Sequence, residues 1–187
     1  ISIPGYSANE PKIWGDKVVF HQSGLELYGG FQIFLYDITT ATTHQLTNEP
    51  WDRFGPVIWE DRVAWTDCRN GCTILDELVS DVYMMDLTTG EETPVCTDPA
   101  AQPGPLTIWG DRIAWMDCRN DPEYPDYCGS AYGTRMDIYV YDITTGTEWL
   151  ATDFPGMKMN PFLYEDRLYF VMLDNDGVYS IFEMLLP

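Results

Sequence analysis

The stretch "IWEDRVAWTDCRNG" at residues 58–71 returns as "IWGDRIAWMDCRND" at 108–121, with ten of fourteen positions identical at an offset of fifty residues. A near-copy at a fixed offset signals a repeated structural unit, which confines the chain to repeat architectures. Two weaker relatives stand at 13–24, "IWGDKVVFHQSG", and at 163–177, "LYEDRLYFVMLDNDG". The shared aspartates are Asp16, Asp61, Asp111 and Asp166, and a proline precedes each by five or six residues: Pro11, Pro56, Pro105 and Pro161. Downstream, "IFLYDITTATTHQLT", "VYMMDLTTGEETPVCT" and "IYVYDITTGTEWLAT" form a second shared phrase, of which "VYSIFEMLLP" is a truncated fourth copy.

Within each unit the apolar residues alternate, β-branched and aromatic types dominate, and no helical period is present. Each unit therefore reads as four strands. They are a first strand ending in Ile-Trp, a second of the "RVAW" type, a third of the "IYVYD" type, and a fourth after the "TTG" turn. The prolines are expected at the starts of the first strands, where a missing ladder donor costs little. Four-stranded antiparallel units repeating every 45–55 residues predict an all-β fold, one four-bladed β-propeller spanning 1–187. The units fall at about 11–50, 56–98, 105–153 and 161–187. The last lacks its fourth strand, and Ile1–Ile3 are expected to supply it and so close the ring. The remaining exposed edge of the last unit, ending in "EMLLP", is apolar and open to a neighbouring chain.

The phrases "PVIWEDRVAW" and "DIYVYDITTG" resemble the TolB-type propeller repeats of secreted and surface proteins. The likeness runs over 11–186 and implies an interaction module rather than a particular chemistry. The chain departs from that family in its Gly-Asp or Glu-Asp turns, in having four repeats where six or more are usual, and in Phe182, which is aligned with Asp37, Asp86 and Asp142.

Thirty acidic against ten basic residues give a formal charge of −20, which repels nucleic acid and anionic lipid. No apolar run is long enough to span a membrane as a helix. The start at Ile1 suggests a processed N-terminus and an extracellular or cell-surface location. Cys68 and Cys72 share one loop and Cys118 and Cys128 the next, so local disulfides are the simplest pairing, although four cysteines allow others and a C-x3-C zinc site is the alternative. Cys96 is left over on a fourth strand, either buried or available to link chains.

No catalytic signature such as Gly-x-Ser-x-Gly or His-Glu-x-x-His occurs, and the chain is expected not to be an enzyme. Asp67 and Asp117, each followed by Cys-Arg-Asn, are expected to stabilise turns, with Arg69 and Arg119 pairing acids of the next unit. Asp174 and Asp176 in "LDNDG" form a weak calcium candidate, and no other cofactor is expected. Trp14, Trp59, Trp109 and Tyr164 share one repeat position, Phe20, Trp65, Trp115 and Phe170 another; both read as core. Trp51, Phe54, Tyr124, Tyr127 and Tyr132 break the repeat and read as loop aromatics for an interface or a glycan. The expected function is an extracellular interaction or structural module that binds copies of itself or other surface proteins. The alternative is a carbohydrate-binding or carbohydrate-cleaving propeller in which Asp67, Asp117, Asp121 or Asp126 converge with those aromatics.

Overall fold

A computed structural model describes residues 1–23, 30–71, 80–100, 102, 104–121, 135–173 and 177–187. Its fifteen described strands form four antiparallel sheets in sequence order. The first holds β1 (Ala8–Trp14), β2 (Lys17–Ser23), β3 (Phe31–Asp37) and β4 (Thr42–Gln45). The second holds β5 (Arg53–Trp59), β6 (Arg62–Asp67), β7 (Asp81–Asp86) and β8 (Glu92–Cys96). β9 (Thr107–Trp109), β10 (Arg112–Asp117), β11 (Asp137–Asp142) and β12 (Thr147–Leu150) make the third. The fourth has only β13 (Met157–Tyr164), β14 (Arg167–Leu173) and β15 (Tyr179–Leu185). These are the four meander sheets of a β-propeller, with the last one short of a strand as the truncated repeat requires.

The turns explain the repeated aspartates. Gly15, Glu60, Gly110 and Glu165 each take a positive φ, of 56°, 53°, 57° and 55°, to reverse the chain. The carbonyls of Asp16, Asp61, Asp111 and Asp166 then accept the amides of Ile38, Leu87, Ile143 and Leu186 at 2.7–2.8 Å. That bond ties each first hairpin to the end of its third strand. Side chains extend the tie to the next sheet: Lys17 reaches Asp61 at 3.2 Å and Arg62 reaches Asp111 at 2.5 Å. Arg112, next in that series, donates instead to the carbonyl of Pro187.

Three of the repeated prolines lie inside strands rather than at their starts. Pro11, Pro56 and Pro161 each lie within a register shift, in β1, β5 and β13. The residues before them, Glu10, Gly55 and Asn160, have φ of 52°, 57° and 52°. A bulge leaves a residue outside the ladder, so a proline without an N–H is tolerated beside it.

Alternation sorts the side chains to the two faces of each sheet. Val63 and Trp65 face the first sheet, packing with Val19 and Ile33, whereas Ala64, Val82 and Met84 face Ile113 and Trp115 of the third. Ala114, Ile138 and Val140 in turn meet Leu163, Leu168 and Phe170 of the fourth. Small Ala64 and Ala114 make room for the ring the next sheet presents. Trp14, Trp59, Trp109 and Tyr164 align in a row, with successive ring centroids 3.9, 4.1 and 4.6 Å apart.

The ring is not closed in the way the sequence suggests. Ile33, Val82 and Ile138 occupy one repeat position and are each 0% exposed, whereas their counterpart Ile181 is 80% exposed. Among the described residues, no hydrogen bond, ion pair or ring contact joins the fourth sheet to the first. Ile1–Ile3 add no strand to β15. The Ile1 carbonyl accepts from Thr43 at 2.6 Å and the Ile3 amide donates to Gln22 at 3.0 Å, which places the segment on the first sheet. The reason is local: Gln22 offers both an acceptor and a donor for the Ile3 backbone. The register also corrects the alignment of the last repeat. Arg167 faces Leu185 as Lys17 faces Asp37, so Leu185 and not Phe182 stands at the shared aspartate position.

Candidate functional site

The duplicated Trp-x-Asp-Cys-Arg-Asn phrase builds the same clamp twice. At the end of β6, Asp67 is fully buried and accepts the Trp65 indole N–H at 3.0 Å, the Arg69 amide at 2.9 Å and the Arg69 guanidinium at 2.7 Å. The guanidinium lies 3.7 Å over the Tyr83 ring and pairs with Glu92 at 2.6 Å. Asn70 donates to Asp81 at 2.6 Å. At the end of β10 the same bonds recur: Trp115 to Asp117 at 3.1 Å, Arg119 to Asp117 at 2.5 Å, Arg119 over Tyr139 at 4.0 Å and to Glu148 at 2.6 Å, and Asn120 to Asp137 at 3.0 Å.

Both arginines therefore pair with acids of their own sheet and not of the next one as their sequence position suggests, and Arg119 also reaches back to Asp98, just after β8 of the second sheet, at 3.8 Å. Antiparallel pairing brings the fourth strand's Glu within reach on the same face as the third strand's Tyr. Asp67 is pulled two ways, since burial pushes its carboxyl up while hydrogen bonds from Arg69 and Trp65 and the charge of Arg53 pull it down; the net direction is down. A carboxylate so committed is a structural acceptor and a poor proton shuttle.

The sheet interfaces add buried ion pairs. Arg53, 1% exposed, donates to Asp67 at 2.9 Å and to Gln32 of the first sheet at 2.8 Å. Lys158 and Asp137, both 0% exposed, pair at 2.7 Å between the fourth and third sheets. Lys158 also donates to the Phe154 carbonyl, and its ammonium lies 4.5 Å from the Phe154 ring centroid. Burial lowers its pKa against the opposing pull of Asp137. Lys158 escapes a reading of "DFPGMKMN" as a loop, yet it stands six residues before Tyr164 as Arg53 stands six before Trp59.

Asp121 is buried, its carboxylate accepting the Arg135 amide at 2.8 Å. Trp51 is exposed, as expected for a loop aromatic. Phe54 is instead a half-buried residue of β5, its ring 5.5 Å from that of Phe31 and 5.6 Å from that of His21. Tyr124, Tyr127, Tyr132 and Asp126 lie outside the described residues, as do the calcium candidates Asp174 and Asp176.

Cys68 and Cys118 are buried at the ends of their second strands, and their expected partners Cys72 and Cys128 also lie outside the described residues. Cys96 is a free thiol, 5% exposed, within the core between the second and third sheets. Arg119 donates to its sulfur at 2.9 Å. Burial pushes the thiol up to about 12, which leaves it un-ionised at neutral pH. The inter-chain link that an odd outer-strand cysteine allows is therefore closed to it in the folded chain.

Sheet architecture and turn chemistry together define a β-propeller. Among solved structures, TolB from Acinetobacter baumannii superposes with a TM-score of 0.66 at 18% identity, over 97% of this chain and 41% of that one. A putative TolB from Agrobacterium tumefaciens gives 0.60 at 20% identity, over 91% of this chain and 62% of that one. The oligogalacturonate lyase of Vibrio parahaemolyticus gives 0.56 at 18%, over 89% and 48%. The fold is thus a TolB-like propeller, and the chain spans less than two thirds of the length of each of these structures. No family model matches the sequence, and no curated protein matches it.

Proposed function

We propose that this chain is a non-enzymatic interaction module of the extracellular or cell-surface space that associates with copies of itself through the fourth sheet. The observation that carries the reading is Ile181, 80% exposed where three equivalent residues are 0% exposed. Around it, Tyr179 and Leu185 are 65% and 64% exposed on the same strand. Among the described residues β15 pairs only with β14, which leaves a seven-residue, largely apolar strand with an unpaired edge. A second copy is the occupant that fits, because it brings the identical strand. Two β15 edges laid antiparallel complement one another in backbone bonds and in apolar side chains, as an isologous contact requires. A formal charge of −20 on each copy opposes that contact, so association strengthens as salt screens it.

Disulfides Cys68–Cys72 and Cys118–Cys128 belong to the same reading, each closing one loop in an oxidising compartment. The commitment of Asp67 and Asp117 to structural cations supports a binding rather than a catalytic role.

Light scattering on a sizing column tests the reading with the native, non-reduced protein. A dimer or larger species is expected, with Ile181→Lys returning it to a 21.4 kDa monomer. A native protein that stays monomeric at high protein and salt concentration would sink the proposal.

A further inference from the structure

A cavity of about 440 Å³ opens where the inner strands of the first three sheets meet. That volume lies within the range of small-molecule sites. Its apolar wall is formed by Phe54, Val57 and Leu106, and its polar groups come from Glu10, Lys12 and Thr66.

Two features distinguish it from a simple packing defect. The first is Thr66, 5% exposed, whose hydroxyl has no hydrogen-bond partner. A buried hydroxyl without a hydrogen-bond partner is costly, so a ligand group that satisfies it gains affinity. Gly104 lies beside it, where a Cβ would stand 3.3 Å from the oxygen. The second is a pair of opposite charges at the rim. Glu10 and Lys12 are both exposed on β1, yet no ion pair joins them and none engages Lys12 among the described residues. The Glu10 carboxylate lies 3.6 Å from the imidazole of His21, and burial of that ring lowers its pKa and favours the neutral form.

We infer that this cavity binds a small zwitterion of amino-acid type with an apolar side chain. The ammonium of the ligand meets the Glu10 carboxylate, its carboxylate meets the Lys12 ammonium and accepts from the Thr66 hydroxyl, and its side chain packs on Phe54, Val57 and Leu106. A neutral sugar would answer the hydroxyl and the ring but leave the opposite charges without counterparts. A purely apolar guest would leave Thr66 unsatisfied. The site is separate from the open edge of the fourth sheet, and its occupancy does not depend on self-association.

Calorimetric titration of the folded protein with L-leucine tests the inference, with isocaproate, isoamylamine and glucose as probes that each lack part of the zwitterion. Saturable binding of L-leucine is expected, with the two single-charge analogues at least tenfold weaker and glucose silent. Thr66→Val is expected to weaken L-leucine about tenfold. Glu10→Gln and Lys12→Met, both at exposed positions, give losses that do not depend on whether the Thr66 variant folds. Each charge variant is expected to lose discrimination against the analogue lacking the matching group. Equal binding of the analogues and the amino acid, preference for glucose, or no saturable binding of L-leucine would overturn the assignment.

Discussion

Breaking the buried pair between Asp137 and Lys158 should be strongly asymmetric. Among the described residues, three donors meet Asp137: Lys158 at 2.7 Å, Arg135 at 2.7 Å and Asn120 at 3.0 Å. Among the described residues, Lys158 touches one acid and otherwise the Phe154 carbonyl and ring. Lys158→Met therefore leaves a carboxylate that is still paired, and its aliphatic replacement matches the stem it replaces. Asp137→Asn leaves an ammonium at 0% exposure with no acid in direct contact among the described residues, Asp153 acting on it only through space. Removing one partner of a buried pair costs about 3–5 kcal/mol when the other is stranded. The expected losses are about 3–5 kcal/mol for Asp137→Asn and about 1–2 kcal/mol for Lys158→Met, with the double replacement restoring much of the difference. Urea unfolding of the four proteins at neutral pH measures all three quantities as a double-mutant cycle. The sign of the pH dependence is a further check. Burial lowers the folded pKa of Lys158, so the unfolded chain binds more protons and stability rises with pH up to the ordinary lysine value of about 10.4. Loss of Asp137 enlarges that window, and the Asp137→Asn deficit should shrink as pH rises. Equal costs for the two single variants, or a deficit that grows with pH, would refute the reasoning.

The turn residues give a second test: Glu60 sits at φ 53° where two other sheets carry glycine, so Glu60→Gly should gain about 1 kcal/mol in thermal or urea unfolding. Cys96, with its thiol pushed up to about 12, should resist an aromatic disulfide reagent in the native protein and react only at the rate of unfolding; rapid native labelling would contradict its burial. Asp81 is buried, and burial pushes its carboxyl up, opposed by the hydrogen bond from Asn70 and the charge of Arg69 and aided by nearby Asp67. Its charge is therefore a burden that appears as pH rises above the ordinary aspartate value of about 3.9. Asp81→Asn should be neutral or stabilising by up to about 1 kcal/mol at pH 7, with the difference shrinking toward acid.

The architecture was readable because repetition multiplies a weak signal. One Asp turn or one Ile-Trp pair means little, but four in register assign strands, faces and core together. The same logic would have found Lys158 by its six-residue distance from Tyr164, and it marks Pro103 as the place where the third repeat lacks that cation. What repetition does not encode is where the segment at Ile1–Ile3 docks. Whether Ile1–Ile3 join the last sheet or the first depends on Gln22 and Thr43, whose bonds to that segment are not part of any repeat. The arginine partners were misplaced for a related reason: a guanidinium chooses between acids equally close in sequence logic, and only the stacking on Tyr83 and Tyr139 settles the direction.

The row formed by Trp14, Trp59, Trp109 and Tyr164 gives the molecule an optical property of its own. Three indoles whose centroids are 3.9 and 4.1 Å apart, tilted by 36° and 46°, do not absorb as independent chromophores; their transitions mix, and the chain should carry an exciton couplet in its circular dichroism. Each indole belongs to a different sheet, so the sign and amplitude of that couplet record the angles between sheets rather than the content of strand. Opening or closing of the arc would thus be visible in light alone, without a label and without loss of secondary structure.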